Sequence, residues 1–487
     1  MTVILALDQG TSATKAVVLG PGDEVLAVAE APVTPEYLPG GAVEQDPGEL
    51  LESVYAAGRR AWESAGRPTL GAVALANQGE TVLAWDRHTG RPLSRAIVWQ
   101  DRRAEGICRE RAAGAERIAQ RTGLVLDPYF SAPKMTWIRE NITREGVVTT
   151  TDSWLLHQLT GAYVTDASTA SRSLLLDLDT VAWDPELAAV FGLEDEELPR
   201  VADCDETVGT TTAFGSGAPV PVAGIAVDQQ AALLAEGCTT PGTAKCTYGT
   251  GAFLLANTGK RALRPASGLT SSVAWRVRGE TSYCVDGQVY TAASAVRWLQ
   301  DLGLIEGPAD LDRVAASDAD GVLCVPALAG LAAPWWRPDA TAAFTGMTLS
   351  TRREHLVLAV LQGIGAQVAE LSSLVQRELD VPLTRLRADG GLTRSRTLVQ
   401  AQADLAQVPV DVYPSEHATA LGAAAFARLA LDPDLPLERA VPSWTPGRTV
   451  EPRWSAGRAA GHLERWREAV RTAALSGTGE PAADSVD

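Results

Sequence analysis

The chain is predicted to fold as two similar α/β domains facing each other across a cleft. Three observations lead there. At 487 residues it is too long for one ordinary core. Strand and helix patterns alternate along most of its length. A strand, a glycine-bearing polar turn and a second strand open the chain, at residues 3–7, 8–14 and 15–19, and the same design returns at 243–247, 248–251 and 252–256. The repeat implies a duplicated unit, with domains at 1–237 and 238–434 and a helical tail at 435–487.

Composition narrows the class. The chain is 46% hydrophobic and 21% charged, with mean hydropathy −0.01, enough apolar material for sizeable cores and too much for a disordered polymer. A net charge of −18 argues against nucleic acid or anionic lipid as the main partner, since both require a basic surface. The six cysteines form no CxxC pair, which fits reduced thiols in a cytoplasmic protein. The N-terminus enters an apolar strand without a basic leader, and no uncharged apolar run approaches the length of a membrane span.

In order along the first half, strands are expected at 3–7, 15–19 and 24–29, with Gly20-Pro21-Gly22-Asp23 turning the last two into a hairpin. Asp46 suits a helix N-cap and Pro47 the first helical position of a helix reaching about residue 65. Strands at 71–76 and 82–85 follow, then helical patterns at 103–120 and 151–160. The second half has a helix at 291–301, a strand at 383–387 running into Asp389-Gly390-Gly391, and an alanine-rich helix at 416–430. A last helix is expected at 455–475. The final dozen residues are small and polar, and are predicted to fray.

Three turns share one chemistry. In DQGTSATK, residues 8–15, Asp8 ends a buried strand where it can hold a hydrated magnesium ion, while Thr11, Ser12 and the turn's backbone N–H groups suit phosphate oxygens. A hairpin with a polar tip is the alternative reading. TYGTG, residues 247–251, offers a second hydroxyl-bearing glycine turn, and ADGGLTRS, residues 388–395, offers paired glycines where a base or ribose can approach the backbone. Together they point to an ATP cleft between the halves.

GIAVDQQAAL, residues 224–233, delivers Asp228 from an apolar strand into a helix start. A carboxylate there can take the proton of a substrate hydroxyl as it attacks the terminal phosphorus, a role that needs placement more than a high pKa. An N-capping aspartate is the other reading. His355 and His417 lack metal-ligand partners at useful spacing. They read as packing or capping residues, and Trp335-Trp336 and Arg102-Arg103 as structural pairs.

These motifs, with IVWQDRR (97–103), TGLVLDPYFSAPKMTWI (122–138), VTDASTASRSLLLDL (164–178), WLQDLGLI (298–305) and HATALGAA (417–424), make the chain resemble the FGGY carbohydrate kinase family, closest to its glycerol-phosphorylating members. The similarity runs in order from residue 3 to about 432. It implies two actin-like, hexokinase-like (ribonuclease H-like) domains, ATP and Mg2+ as cofactors, and a small polyol or sugar as substrate. A homodimer or homotetramer is left open. Residue by residue, it implies Asp228 as general base and Asp8 beside the magnesium. It places Thr11, Ser12, Ala13, Lys15, Thr250, Ala293, Arg297, Gly391 and Ser395 at the nucleotide, and Gly79, Glu80, Trp99, Tyr129, Asp228, Gln229 and Phe253 at the polyol. The implied reaction is ATP-dependent phosphorylation of a primary hydroxyl of glycerol or a closely related polyol.

Three departures qualify that transfer. Glycerol-phosphorylating members carry arginine in the run NQRET, where this chain has NQGET and hence Gly79. The missing guanidinium makes a larger alditol or ketose the alternative substrate. The basic loop linked to sugar-bisphosphate inhibition is replaced by AFGSGAPVPV (213–222), so no such feedback is expected. Ala293 and Arg297 stand where members often have Gly and Gln, and Arg297 either reaches phosphate or lies on a solvated helix face. A more distant alternative is an actin- or chaperone-like ATPase switch, which would have no use for a polyol-lining set.

Overall fold

The structure is a computed structural model describing residues 2–215 and 217–475. Two mixed sheets dominate it. In the first, the strands run in the order Thr207–Thr211, Val220–Val227, Leu70–Asn77, Val3–Gln9, Ala13–Leu19, Val25–Pro32. Val3–Gln9 is antiparallel to Ala13–Leu19 and parallel to Leu70–Asn77, which is parallel in turn to Val220–Val227. The second sheet repeats this core. Ala244–Tyr248 is antiparallel to Ala252–Gly259 and parallel to Leu386–Asp389, with Val410–Val412 parallel beyond it. A hairpin of Thr270–Val277 and Glu280–Val289 extends the antiparallel side.

The sequence expectations shift in three places. The helix expected at 103–120 is two helices, Glu105–Glu110 and Ala115–Thr122, because a 3-10 turn at Ala112–Gly114 interrupts it. The strand expected at 383–387 is Leu386–Asp389, so it delivers Asp389 directly to the turn. The 27-residue helix Arg353–Leu379 is long and apolar enough by composition to cross a membrane, which the sequence reading did not foresee. Most of it is buried among the sides of the second sheet's core, which is the physical reason for its apolar composition. Asp46 and Pro47 begin the helix Pro47–Ser64 as expected, the aspartate accepting from the Gly48 and Glu49 N–H groups. All six cysteines are buried and free. The fraying expected for the last dozen residues lies outside the described residues.

The halves are interlocked by packing rather than simply abutted. The helix Ala418–Leu431 follows the second sheet in sequence, yet its alanines pack with Ile4, Ala6, Ala74 and the helix Asp228–Ala235. Glycines permit the approach. A β-carbon on Gly422 would sit 1.8 Å from the Ala231 carbonyl oxygen, and one on Gly224 would sit 2.4 Å from that of Ala423. Arg428 on this helix also pairs with Asp23 in the first hairpin. The closing helix Ala456–Leu475 packs against the strand Leu323–Val325 and the helix Arg396–Ala406, burying Trp466 against Val325 and Leu405.

Candidate active site

Parallel strands place their following loops at one edge, where open α/β sheets bind ligands. The first sheet delivers Gly10–Ser12, Gln78–Glu80 and Asp228–Gln230 there, and the second delivers 248–251 and 390–395. A cavity of about 190 Å³ lies between them. It gathers ten of the residues named from the sequence: Thr11, Ser12, Gly79, Glu80, Trp99, Tyr129, Asp228, Gln229, Thr250 and Phe253.

Its apolar wall is aromatic. Trp99, held just after the short strand Ala96–Ile97, meets Tyr129 and Phe253 edge-on, each with ring centroids 5.7 Å away. Trp99 donates its indole N–H to Thr11 Oγ1 at 2.9 Å, and Thr11 donates to Gln78 Oε1 at 3.0 Å. The aromatic wall and the Gly10–Ser12 turn are therefore one hydrogen-bonded unit. Tyr129 is fixed from behind. Lys134 is fully buried and donates to the carbonyls of Pro128, Tyr129 and Phe130 at 2.6–2.7 Å, while Asp127 accepts from the Tyr129 N–H and from Arg102. Burial pushes the Lys134 ammonium down to about 8.

Glu80 is a non-glycine residue with φ +58°, an uncommon conformation of the kind that clusters at functional sites. Its carboxylate pairs with Arg172, which also reaches Asp286 Oδ2 at 3.2 Å. Burial raises the Glu80 pKa, with Arg172 opposing. Burial disfavours the Arg172 cation too, but Asp286 and Glu80 outweigh it, and its pKa lies above the ordinary value.

Asp228 is the first residue of its helix, whose N-cap is Val227. It accepts from the Gln229 N–H at 2.7 Å and makes no cap to the next turn. The side chain borders the cavity instead. Burial raises its pKa, opposed by Lys245. Lys245 is itself fully buried and donates to Gln229 Oε1 at 2.7 Å and Thr247 Oγ1 at 2.6 Å, which orients the Gln229 amide.

The cavity's lining does not include Asp8, Ala13, Lys15, Ala293, Arg297, Gly391 or Ser395, the other residues expected at the metal and the nucleotide. Asp8, next to last in Val3–Gln9, lies opposite Lys15 in register, and Ala13 starts the neighbouring strand. Burial, then the nearby charge of Asp228, push Asp8 up to about 7, against Lys15. Ala293 starts the helix Ala293–Asp301 and donates its N–H to the Gly249 carbonyl, while Arg297 on that helix is exposed. Gly391 borders open space. The Ser395 hydroxyl is engaged locally, donating to Asp312 and accepting from the Leu398 N–H as cap of the helix Arg396–Ala406.

Sequence reasoning did not single out Arg172, Asp286 or Lys245, and it quoted Gln78, Gln230 and Thr247 only within motifs; all six lie at or beside the cavity. A signal existed for two of them. Arg172 is the one cation in the run VTDASTASRSLLLDL, and Asp286 is an isolated acid in the mostly apolar strand end at 283–289. Neither has a local reason to be charged.

A cleft between duplicated sheets, with a carboxylate beside an aromatic pocket and a glycine turn from each half, fits a phosphotransferase with an alcohol group as acceptor. The family model for the N-terminal domain of FGGY carbohydrate kinases matches residues 3–235, and that for the C-terminal domain matches 244–431. The chain belongs to the FGGY family of carbohydrate kinases. It is 43% identical to a glycerol kinase of Alkalilimnicola ehrlichii, over 97% of this chain and 98% of that one. Among solved structures it resembles Plasmodium falciparum glycerol kinase with ADP, at TM-score 0.87, 30% identity, and coverage of 97% and 98%. Xylulose kinase from Rhodospirillum rubrum matches at TM-score 0.84 and 25% identity, covering 98% of this chain and 100% of that one.

Proposed function

We propose that the protein transfers the γ-phosphoryl group of ATP to a primary hydroxyl of glycerol or a closely related polyol. The observation that carries this is the shared cavity. Asp228, Glu80 and Gln229 meet the Trp99–Phe253 wall in the same space as Thr11, Ser12 and Thr250. The wall covers the carbon backbone, and the polar groups take its hydroxyls. Asp228 accepts the proton of the attacking hydroxyl as its oxygen bonds phosphorus and ADP leaves. The long resemblance to glycerol kinases favours glycerol.

Domains 1–237 and 238–434 carry the polyol and nucleotide sides respectively, and the described part of the tail, residues 435–475, follows the second. Thr11, Ser12, Ala13, Lys15, Thr250, Ala293, Arg297, Gly391 and Ser395 line the nucleotide's path in this reading. Magnesium fits beside Asp8. Burial first, then the negative charges of Asp228, Asp389 and Glu30, raise the Asp8 pKa, and a divalent cation would relieve that repulsion. Among the described residues no three acidic, histidine or cysteine side chains form a metal-holding group, so water and phosphate oxygens would complete its shell. When bound, the ion neutralises phosphate charge. Six free, buried thiols fit a cytoplasmic location.

A larger alditol or a ketose is the second reading, motivated by Gly79. A coupled ADP-release assay across glycerol, erythritol, threitol, pentitols and xylulose decides between them. The expected result is a glycerol preference above about tenfold in kcat/KM, the size of one well-read polar contact. The reverse preference would move the assignment to the larger substrate. ATP hydrolysis indifferent to every polyol would favour a nucleotide-driven switch.

A further inference from the structure

Glycine at position 79 leaves no guanidinium on the turn that presents Glu80, yet the same cavity contains one from elsewhere in the chain. Arg172 follows the short helix Ala167–Ala170 and is 5% exposed. Its Nε pairs with Glu80, and its Nη1 lies 3.2 Å from Asp286 Oδ2 and 3.5 Å from Ser272 Oγ. Among the described residues no carboxylate pairs with Nη2, and Tyr129 on the same wall also hydrogen-bonds the Arg172 side chain. Asp286 also lines the cavity, and its Oδ1 is buried without a partner.

A guanidinium is planar and offers its donors in a rigid fork. Two carboxylates, one from each half of the molecule, hold this fork in place. That leaves a donor, Nη2, and an acceptor, Asp286 Oδ1, on neighbouring groups of one wall. A hydroxyl both accepts and donates, so it matches such a pair, whereas a methyl or methylene group matches neither.

We propose that Arg172 and Asp286 together read a hydroxyl of the acceptor that is not phosphorylated, supplying from a different strand order the contact that Gly79 cannot make. This inference rests on the polyol-kinase reading above and names the specificity residues of that site. It makes Arg172 a substrate-contacting residue rather than a brace for Glu80 alone.

A chemical double-mutant cycle separates those roles. Initial rates are measured for wild type and Arg172→Lys with glycerol, propane-1,2-diol and propane-1,3-diol at saturating MgATP. Wild type is expected to favour glycerol over at least one diol by about 10- to 100-fold in kcat/KM, the range for a hydrogen bond to a charged group. In Arg172→Lys that ratio should fall to about 1- to 3-fold, since the reading contact is gone. The KM for ATP should be unchanged. Asp286→Asn, which keeps the side-chain shape, should lower the same ratio. Thermal melting and binding of a fluorescent ATP analogue confirm that each variant is folded.

A ratio equal to wild type in both folded variants would overturn the proposal and make Arg172 a structural brace. So would a wild type that treats both diols as it treats glycerol. A wild type that phosphorylates no polyol at all would instead remove the functional reading beneath it, so the two failures are distinct.

Discussion

A β-carbon built on Gly79 would lie 2.9 Å from Cγ2 of Val227, the residue immediately before Asp228. Gly79 lines the cavity, yet any side chain here would meet the valine methyl at its first carbon.

Installing Gly79→Arg by itself should therefore disrupt the site rather than improve it. Overpacking costs about 1–3 kcal/mol, so a lowered thermal midpoint and a raised KM for polyol are expected. Combining it with Val227→Ala should recover most of the stability and give a lower glycerol KM than either single change. Strict additivity in melting and KM would show that the two positions do not touch.

Asp228→Asn keeps the shape and the hydrogen bond from the Gln229 N–H, but cannot take a proton. kcat should fall about 10²- to 10⁴-fold while ATP-analogue binding holds. Near-normal turnover would end the assignment of Asp228 as base.

Gly422→Ala places a methyl 1.8 Å from the Ala231 carbonyl oxygen, against backbone that has no rotamer with which to yield. The helix Ala418–Leu431 must back away from the helix that begins at Asp228. A stability loss of about 1–3 kcal/mol is expected in urea melts, together with reduced kcat. An unaltered urea midpoint would contradict this tight approach between the halves.

His462 is buried against Trp454, with ring centroids 5.4 Å apart. Burial, then Arg465 and Arg458, lower its pKa to about 4. The folded state thus binds fewer protons than the unfolded chain between about pH 4 and pH 6.5. Stability contributed by neutral His462 is full above the unfolded value, and declines as pH falls through that window. The ceiling is roughly 3 kcal/mol at about 1.4 kcal/mol per pH unit. Urea melts at pH 7 and pH 5 should differ more for wild type than for His462→Gln, and equal differences would sink the linkage.

The local signals were legible because they depend on near neighbours in the chain. Short, nearly continuous apolar runs wrote the strands Val3–Gln9 and Val220–Val227, Asp46-Pro47 wrote a helix start, and glycine with hydroxyl residues wrote the two polar turns. Motif resemblance then assigned Asp228, Glu80, Trp99 and Tyr129 to one site. The helix Arg353–Leu379 was not among the expected elements, since apolar residues on all sides carry little periodicity.

What only the tertiary structure decided is which distant charges meet. Arg172 and Asp286 are far apart in the chain, and their pairing depends on the second sheet's hairpin reaching the first half. The same holds for Val227 beside Gly79, and for Ala418–Leu431 crossing to the first sheet. Periodicity reports which face of an element is buried, but not what lies against it. Long-range contacts between buried groups follow from how completed sheets and helices pack, and that information is not carried by any one segment.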